Sequence, residues 1–166
     1  MKKLSLALLG LCIFLMSCKK DSSNSCPYTE SSFVATSAEI SYLQNYITTN
    51  SITAVQHPSG IFYTINLPGS DPKPNVCSNV SVKYVGKLLN GNQFDASTGA
   101  GITFALGQVI VGWQKGVPLI GAGGTITLYI PPSLAYGNVT KTDVNGNVVI
   151  PANSYLKFDI QLVAVQ

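Results

Sequence analysis

The chain has 166 residues, room for one domain and little more. Apolar residues make up 46% and charged residues 10%, which is too apolar for a disordered chain. All ten basic residues are lysines; without Lys2 and Lys3, which lie in a segment expected to be removed, eight lysines face seven acids, so the mature chain is near neutral and carries no basic stripe for nucleic acid.

Met1-Lys2-Lys3 and the apolar run Leu4 to Met16 predict an export signal, at 13 residues too short for a comfortable membrane span. The run ends Leu15-Met16-Ser17-Cys18, which resembles a bacterial lipoprotein box. In that reading 1–17 is a signal peptide, Cys18 is acylated, and the protein is held on a membrane by its lipid, facing the periplasm or the cell surface. The alternative is an ordinary cleaved signal with Cys18 there by chance. Residues 18–35 are small and polar and read as a tether. Cys12 leaves with the signal, so Cys26 and Cys77 are the remaining candidates for a disulfide, in a compartment that permits one. Such a bond would close a loop of about 50 residues, worth about 3–4 kcal/mol on the loop-entropy model. Two unpaired thiols are the other reading.

Residues 36–55 form a helix and connection. Thr36 and Glu39 have capping-box spacing, and Ile40, Leu43 and Ile47 follow at helical intervals, so a helix runs to about Thr49. It either packs on the edge of the domain or pairs two copies into a homodimer. Residues 56–166 form the main domain. After the turn His57-Pro58-Ser59-Gly60, residues Ile61, Tyr63, Ile65 and Leu67 alternate as a strand. Val80, Val82, Tyr84, Gly86 and Leu88 form a second, ended by the hairpin signal Asn90-Gly91. Ile102 and Phe104 mark a short strand. Gln108 to Val117 predicts a short helix weakened by its glycines. Thr125 to Ile130 is a strand stopped by Pro131-Pro132; Asn145-Gly146 is another turn; Leu156, Phe158, Ile160 and Leu162 alternate as the last strand. The sum is an α+β domain, a half-buried antiparallel sheet crossed by one short helix.

Several chemistries lack parts. The lone histidine, His57, sits beside a proline in a turn, and nothing marks a nucleophile for it. There is no phosphate-binding glycine loop and no zinc-spaced cysteine pair. Asp143 to Asn147 has the start of a calcium loop without its closing glutamate, and a solvated turn explains it better. No metal or cofactor is expected. What remains is a set of large apolar residues in turn-rich segments: Phe94, Phe104, Ile110, Trp113, Tyr136 and Ile150. By composition alone they read as core.

Their order gives another reading. Val82 to Leu88, Gly91 to Ser97, Phe104 to Val117, Ile130 to Gly137 and Leu156 to Leu162 resemble, in order and spacing, the FKBP-type peptidyl-prolyl cis–trans isomerases over residues 80–165. The resemblance implies a twisted antiparallel sheet wrapped around one short helix, with a shallow apolar pocket for a substrate proline. It implies Trp113 as the pocket floor, with Tyr84, Phe94, Phe104, Val109, Ile110 and Phe158 as walls. Asp95 would lie at the edge, Ile150 in an overhanging loop, and Ile102 where many members carry phenylalanine. The Ile110 N–H and the Tyr136 hydroxyl would donate to bound carbonyls. Without the resemblance, Asp95 is a turn carboxylate and Tyr136 a surface tyrosine. The expected activity is rotation about X–Pro bonds in exported polypeptides; the alternative is a binding or chaperone lipoprotein of the same fold with little turnover.

Overall fold

The computed structural model describes residues 26–166. The Leu4–Met16 run and Cys18 lie outside them. Helix α1 (Ser37–Thr49) begins at the capping box: the Glu39 N–H donates to Thr36 Oγ1, and the Thr36 N–H to the Glu39 carboxylate. Among the described residues no helix is long and apolar enough to cross a membrane.

The strands follow the alternation. In chain order they are β1 (Val55–Gln56), β2 (Phe62–Leu67), β3 (Asn79–Leu88), β4 (Gln93–Ala96) and β5 (Ile102–Ala105). After α2 (Val111–Gly116) come β6 (Thr125–Ile130), β7 (Lys141–Thr142), β8 (Val148–Ile150) and β9 (Leu156–Val165). The main sheet is antiparallel in the order β1-β2-β6-β9-β3-β4, with β5 also on β3, while β7 and β8 form a separate hairpin. Both β4 and β5 pair with one edge of β3, and the gap between them falls at Tyr84. There Ser97 takes over the pairing: the Tyr84 N–H donates to Ser97 Oγ at 2.9 Å and the Ser97 N–H to the Tyr84 carbonyl at 3.0 Å. No ladder group of Tyr84 is left unpaired by the split.

The inner face of the sheet packs Val80, Val82, Ile126, Leu128, Ile130, Leu156, Ile160 and Leu162 against α2 and its neighbours. The outer face is polar except at one end. Phe62 and Tyr129, paired across β2 and β6 on that outer side, are buried beneath Leu43 and Ile47 of α1. The apolar stripe of α1 therefore covers its own sheet.

The expected helix at 108–117 is shorter than its pattern. Leu106–Gln108 is a 3-10 turn, Ile110 is extended, and α2 continues as a second 3-10 turn, Val117–Leu119. The glycines that weaken it as a helix let it lie close on the sheet. A Cβ on Gly112 would stand 2.5 Å from Ile130 Cγ2, and one on Gly116 would stand 2.5 Å from Leu128 Cδ1. Gly112→Ala should gain about 1 kcal/mol in helix propensity. Overpacking costs about 1–3 kcal/mol, and Ile130, fully buried, has nowhere to retreat. The expected result is a net loss of up to about 2 kcal/mol, read as a lower urea midpoint at unchanged slope. A raised midpoint would contradict this packing.

Residues 26–35, part of the segment read as a tether, have no regular secondary structure but lie against the domain. Cys26 is disulfide-bonded to Cys77, the Tyr28 ring packs on Gly107, and Glu30 pairs with Lys115 of α2 at 2.7 Å. The Ala35 N–H donates to the Ser59 carbonyl at 2.9 Å. Point contacts with distant residues thus hold the described part, 26–35, of the segment read as a tether.

Candidate active site

Between α2 and the inner face of the sheet lies a cavity of about 250 Å³, lined by Tyr84, Asp95, Phe104, Gln108, Val109, Ile110, Trp113, Tyr136 and Phe158. A second trough, lined by Lys83, Val85, Thr125 and Gln161 among others, has Tyr84 as its one aromatic residue. Trp113 forms the base of the inner cavity. Its ring meets Tyr84, Phe104 and Phe158 edge-on, with centroids 5.2, 5.9 and 5.3 Å apart. Such edge-to-face pairs put the positive rim of one ring on the negative face of another and fix the walls at right angles to the floor. Its indole N–H is buried with no acceptor among the described residues.

At the rim the Tyr84 hydroxyl donates to Asp95 Oδ2 at 2.7 Å. Burial, then the bond to Asp95 and its charge, push the Tyr84 phenol well above the ordinary tyrosine range. Burial, then the charge of Asp95, raise Tyr136 as well. Both phenols therefore stay protonated at neutral and moderately basic pH and remain donors. Lys141 of β7 stands over the Tyr136 ring, 4.9 Å from its centroid.

Ile110 is the N-cap of α2, and among the described residues its N–H has no partner. Gln114, one turn into α2, steadies the approach to it. Its side-chain amide donates to the carbonyls of Val109, at 2.8 Å, and Gly107, at 3.4 Å. The cavity thus offers apolar walls, one carboxylate at its rim and, in the Ile110 N–H and the Tyr136 hydroxyl, donors that have no partner among the described residues. No nucleophile, and no histidine, lies in its lining.

The remaining expected residues sit elsewhere. Phe94 packs edge-on behind Phe158, centroids 5.5 Å apart, and supports that wall without lining the cavity. Gly86 makes room for this pair, since a Cβ there would meet both rings. Ile150 is buried in the core at the end of β8, opposite Lys141. Ile102 is 43% exposed at the start of β5 and is not in the lining. His57 closes its turn by accepting from the Ser59 N–H at 3.1 Å. Asp159 faces outward, accepting from Thr127 and pairing with Lys157. Gln108 is a lining residue that sequence reasoning passed over. Its place directly before Val109 and Ile110 was the available signal.

The family model for FKBP-type peptidyl-prolyl cis-trans isomerase matches residues 71–163. The chain is 39% identical over 110 residues to the FKBP-type peptidyl-prolyl cis-trans isomerase FkpA of Aeromonas hydrophila, covering 65% of this chain and 39% of that protein. The chain thus spans well under half the length of that relative. Among solved structures it resembles a peptidyl-prolyl cis-trans isomerase from Pseudomonas syringae, with a TM-score of 0.65 and 30% identity over 82% of this chain and 99% of the other. It also resembles FkpA from Escherichia coli, with a TM-score of 0.66 and 33% identity over 78% of this chain and 60% of the other.

Proposed function

The chain belongs to the FKBP-type peptidyl-prolyl cis-trans isomerase family, and from that premise we propose that it catalyses rotation about X–Pro bonds in exported polypeptides. One observation carries the reading: Trp113 floors a cavity walled edge-on by Tyr84, Phe104 and Phe158, with the Tyr84–Asp95 pair at its mouth.

An X–Pro bond turns slowly because its C–N bond is partly double, with a barrier of about 18–20 kcal/mol. No bond has to break, so no nucleophile or cofactor is required. Twisting costs the amide its resonance and makes it less polar. Water, which solvates the planar amide better, therefore favours the ground state. An apolar pocket that excludes water removes that preference. The Ile110 N–H and the Tyr136 hydroxyl hold the carbonyls of the bound chain while the bond turns. Each 1.4 kcal/mol, roughly, that is gained in this way speeds exchange about tenfold.

Asp95→Val tests the rim. Asp95 is exposed but accepts from the Tyr84 hydroxyl, so the fold should lose about 1 kcal/mol. The expected result is a fall in kcat/KM of about tenfold on a proline peptide. Full activity in this variant would remove Asp95 from the site. A wild-type protein that suppresses aggregation without speeding exchange would instead be a binding module.

The proposal extends to location. Lys2-Lys3, the Leu4–Met16 run and the Ser17-Cys18 junction support export and lipid attachment at Cys18, leaving a membrane-anchored lipoprotein. The Cys26–Cys77 bond supports an oxidising compartment. A homodimer through α1 would have to use the helix face around Tyr42, because Leu43 and Ile47 are taken by the sheet.

A further inference from the structure

The Glu39 carboxylate binds on two sides. Within α1 its Oε2 accepts from the Thr36 N–H at 3.0 Å and the Thr36 hydroxyl at 2.9 Å. Outside the helix, its Oε1 accepts from the Ser133 N–H at 2.9 Å and its Oε2 from the Ser133 hydroxyl at 2.8 Å. Of the first set, a capping box needs only the bond from the Thr36 N–H. The second reaches across 94 residues to the 3-10 turn Pro132–Leu134.

The Ser133 N–H and the Pro132 carbonyl are the two ends of one planar peptide unit, so fixing one end orients the other. That carbonyl accepts from the Ala135 N–H at 3.0 Å and the Gly137 N–H at 2.8 Å, on either side of Tyr136. A charged acceptor on the N–H also polarises the peptide and strengthens the bonds its oxygen receives. A second tie runs parallel. Tyr42 of α1 stacks on Tyr155 with ring centroids 4.2 Å apart, and the Asn153 N–H donates to the Gly137 carbonyl at 2.8 Å.

We infer that Glu39 is a positioning residue of the pocket, acting through the Pro132–Ser133 peptide to hold the Tyr136 hydroxyl where a bound carbonyl needs it. The inference rests on the isomerase reading. It also makes α1, which lies outside the matched residues 71–163, a working part of the site. Burial raises the Glu39 pKa, but the bonds from Thr36 and Ser133 together outweigh this and hold it below the ordinary carboxylate range. The carboxylate is therefore charged wherever the enzyme is expected to work.

The test uses the full chain. Glu39→Ala should speed hydrogen exchange at the Ala135 and Gly137 amides about tenfold. It should lower kcat/KM about tenfold, with the loss in kcat. In a Tyr136→Phe background the same change should cost less than about twofold, because the route runs through that hydroxyl. Thr36→Ala, which removes the cap hydroxyl but leaves both Ser133 bonds, should stay within about twofold of wild type. Should Glu39→Ala fold poorly, Ser133→Ala removes one bond and should give a smaller loss of the same kind. Unchanged exchange at both amides would overturn the inference. So would additive losses from Glu39→Ala and Tyr136→Phe, or a Tyr136→Phe protein of wild-type activity. A wild-type protein with no isomerase activity would count against the proposed function, and amide exchange would still decide whether Glu39 holds the turn.

Discussion

Trp113→Leu is expected to lower kcat/KM for a proline peptide by about 10- to 100-fold, or roughly 1.4–2.7 kcal/mol of barrier. Leucine keeps an apolar floor but loses the flat surface that meets Tyr84, Phe104 and Phe158 edge-on. Those rings can then tilt inward or admit water, and a wet pocket solvates the planar amide again. Stability should suffer less than the size change suggests. Deleting a buried tryptophan down to alanine costs about 3–5 kcal/mol, and leucine refills part of the space. The substitution also deletes an indole N–H that is buried without an acceptor among the described residues. An unsatisfied donor of this kind costs about 1–3 kcal/mol, so its removal offsets part of the cavity. Isomerisation kinetics beside a thermal melt separate the two effects. A folded variant with undiminished turnover would show that the tryptophan only packs.

Replacing Cys26 and Cys77 together by serine is the largest expected loss of stability. The bond joins residues 51 apart. On the loop-entropy model it is worth about 3–4 kcal/mol, a large share of the roughly 5–15 kcal/mol that holds a domain together. A fall in Tm of roughly 10 °C is expected, since 1 kcal/mol shifts a domain of this size by about 2–4 °C. The loss should also reach the pocket rim, because Tyr28 packs on Gly107 beside the lining residue Gln108. Reducing agent should lower the wild-type melting point towards that of the double variant. Equal melting points with and without the bond would mean that the remaining contacts of residues 26–35 already fix the segment.

What the sequence disclosed was the local and the periodic. Thr36 and Glu39 placed the start of α1 because a capping box involves only neighbours. Alternation placed β3, β6 and β9 because each has an apolar inner row. It could not show that Tyr129, on the polar side of its strand, is buried, since its cover comes from α1 some 80 residues earlier in the chain. Strand β4 is four residues long, too short for a period to stand out. Glu39 read as a cap and nothing more, because Ser133 is invisible to a local pattern. The lining residues came from the order of segments across the chain. Ile102 shows the limit of that route: its position in the segment suggested a wall, but its strand pairing with Val82 leaves it exposed at the sheet edge.

The pinned segment 26–35 also limits reach. If Cys18 carries the lipid, as proposed above, and Cys26 is fastened to the domain, eight peptide steps would separate the anchor from folded protein, at most about 30 Å even fully stretched. Were the chain free as far as Ala35, the leash would run to about 60 Å. On the proposed lipid attachment, the disulfide would shorten the leash between bilayer and domain by about half, so the clients would be chains passing close to that surface rather than proteins already in open solution.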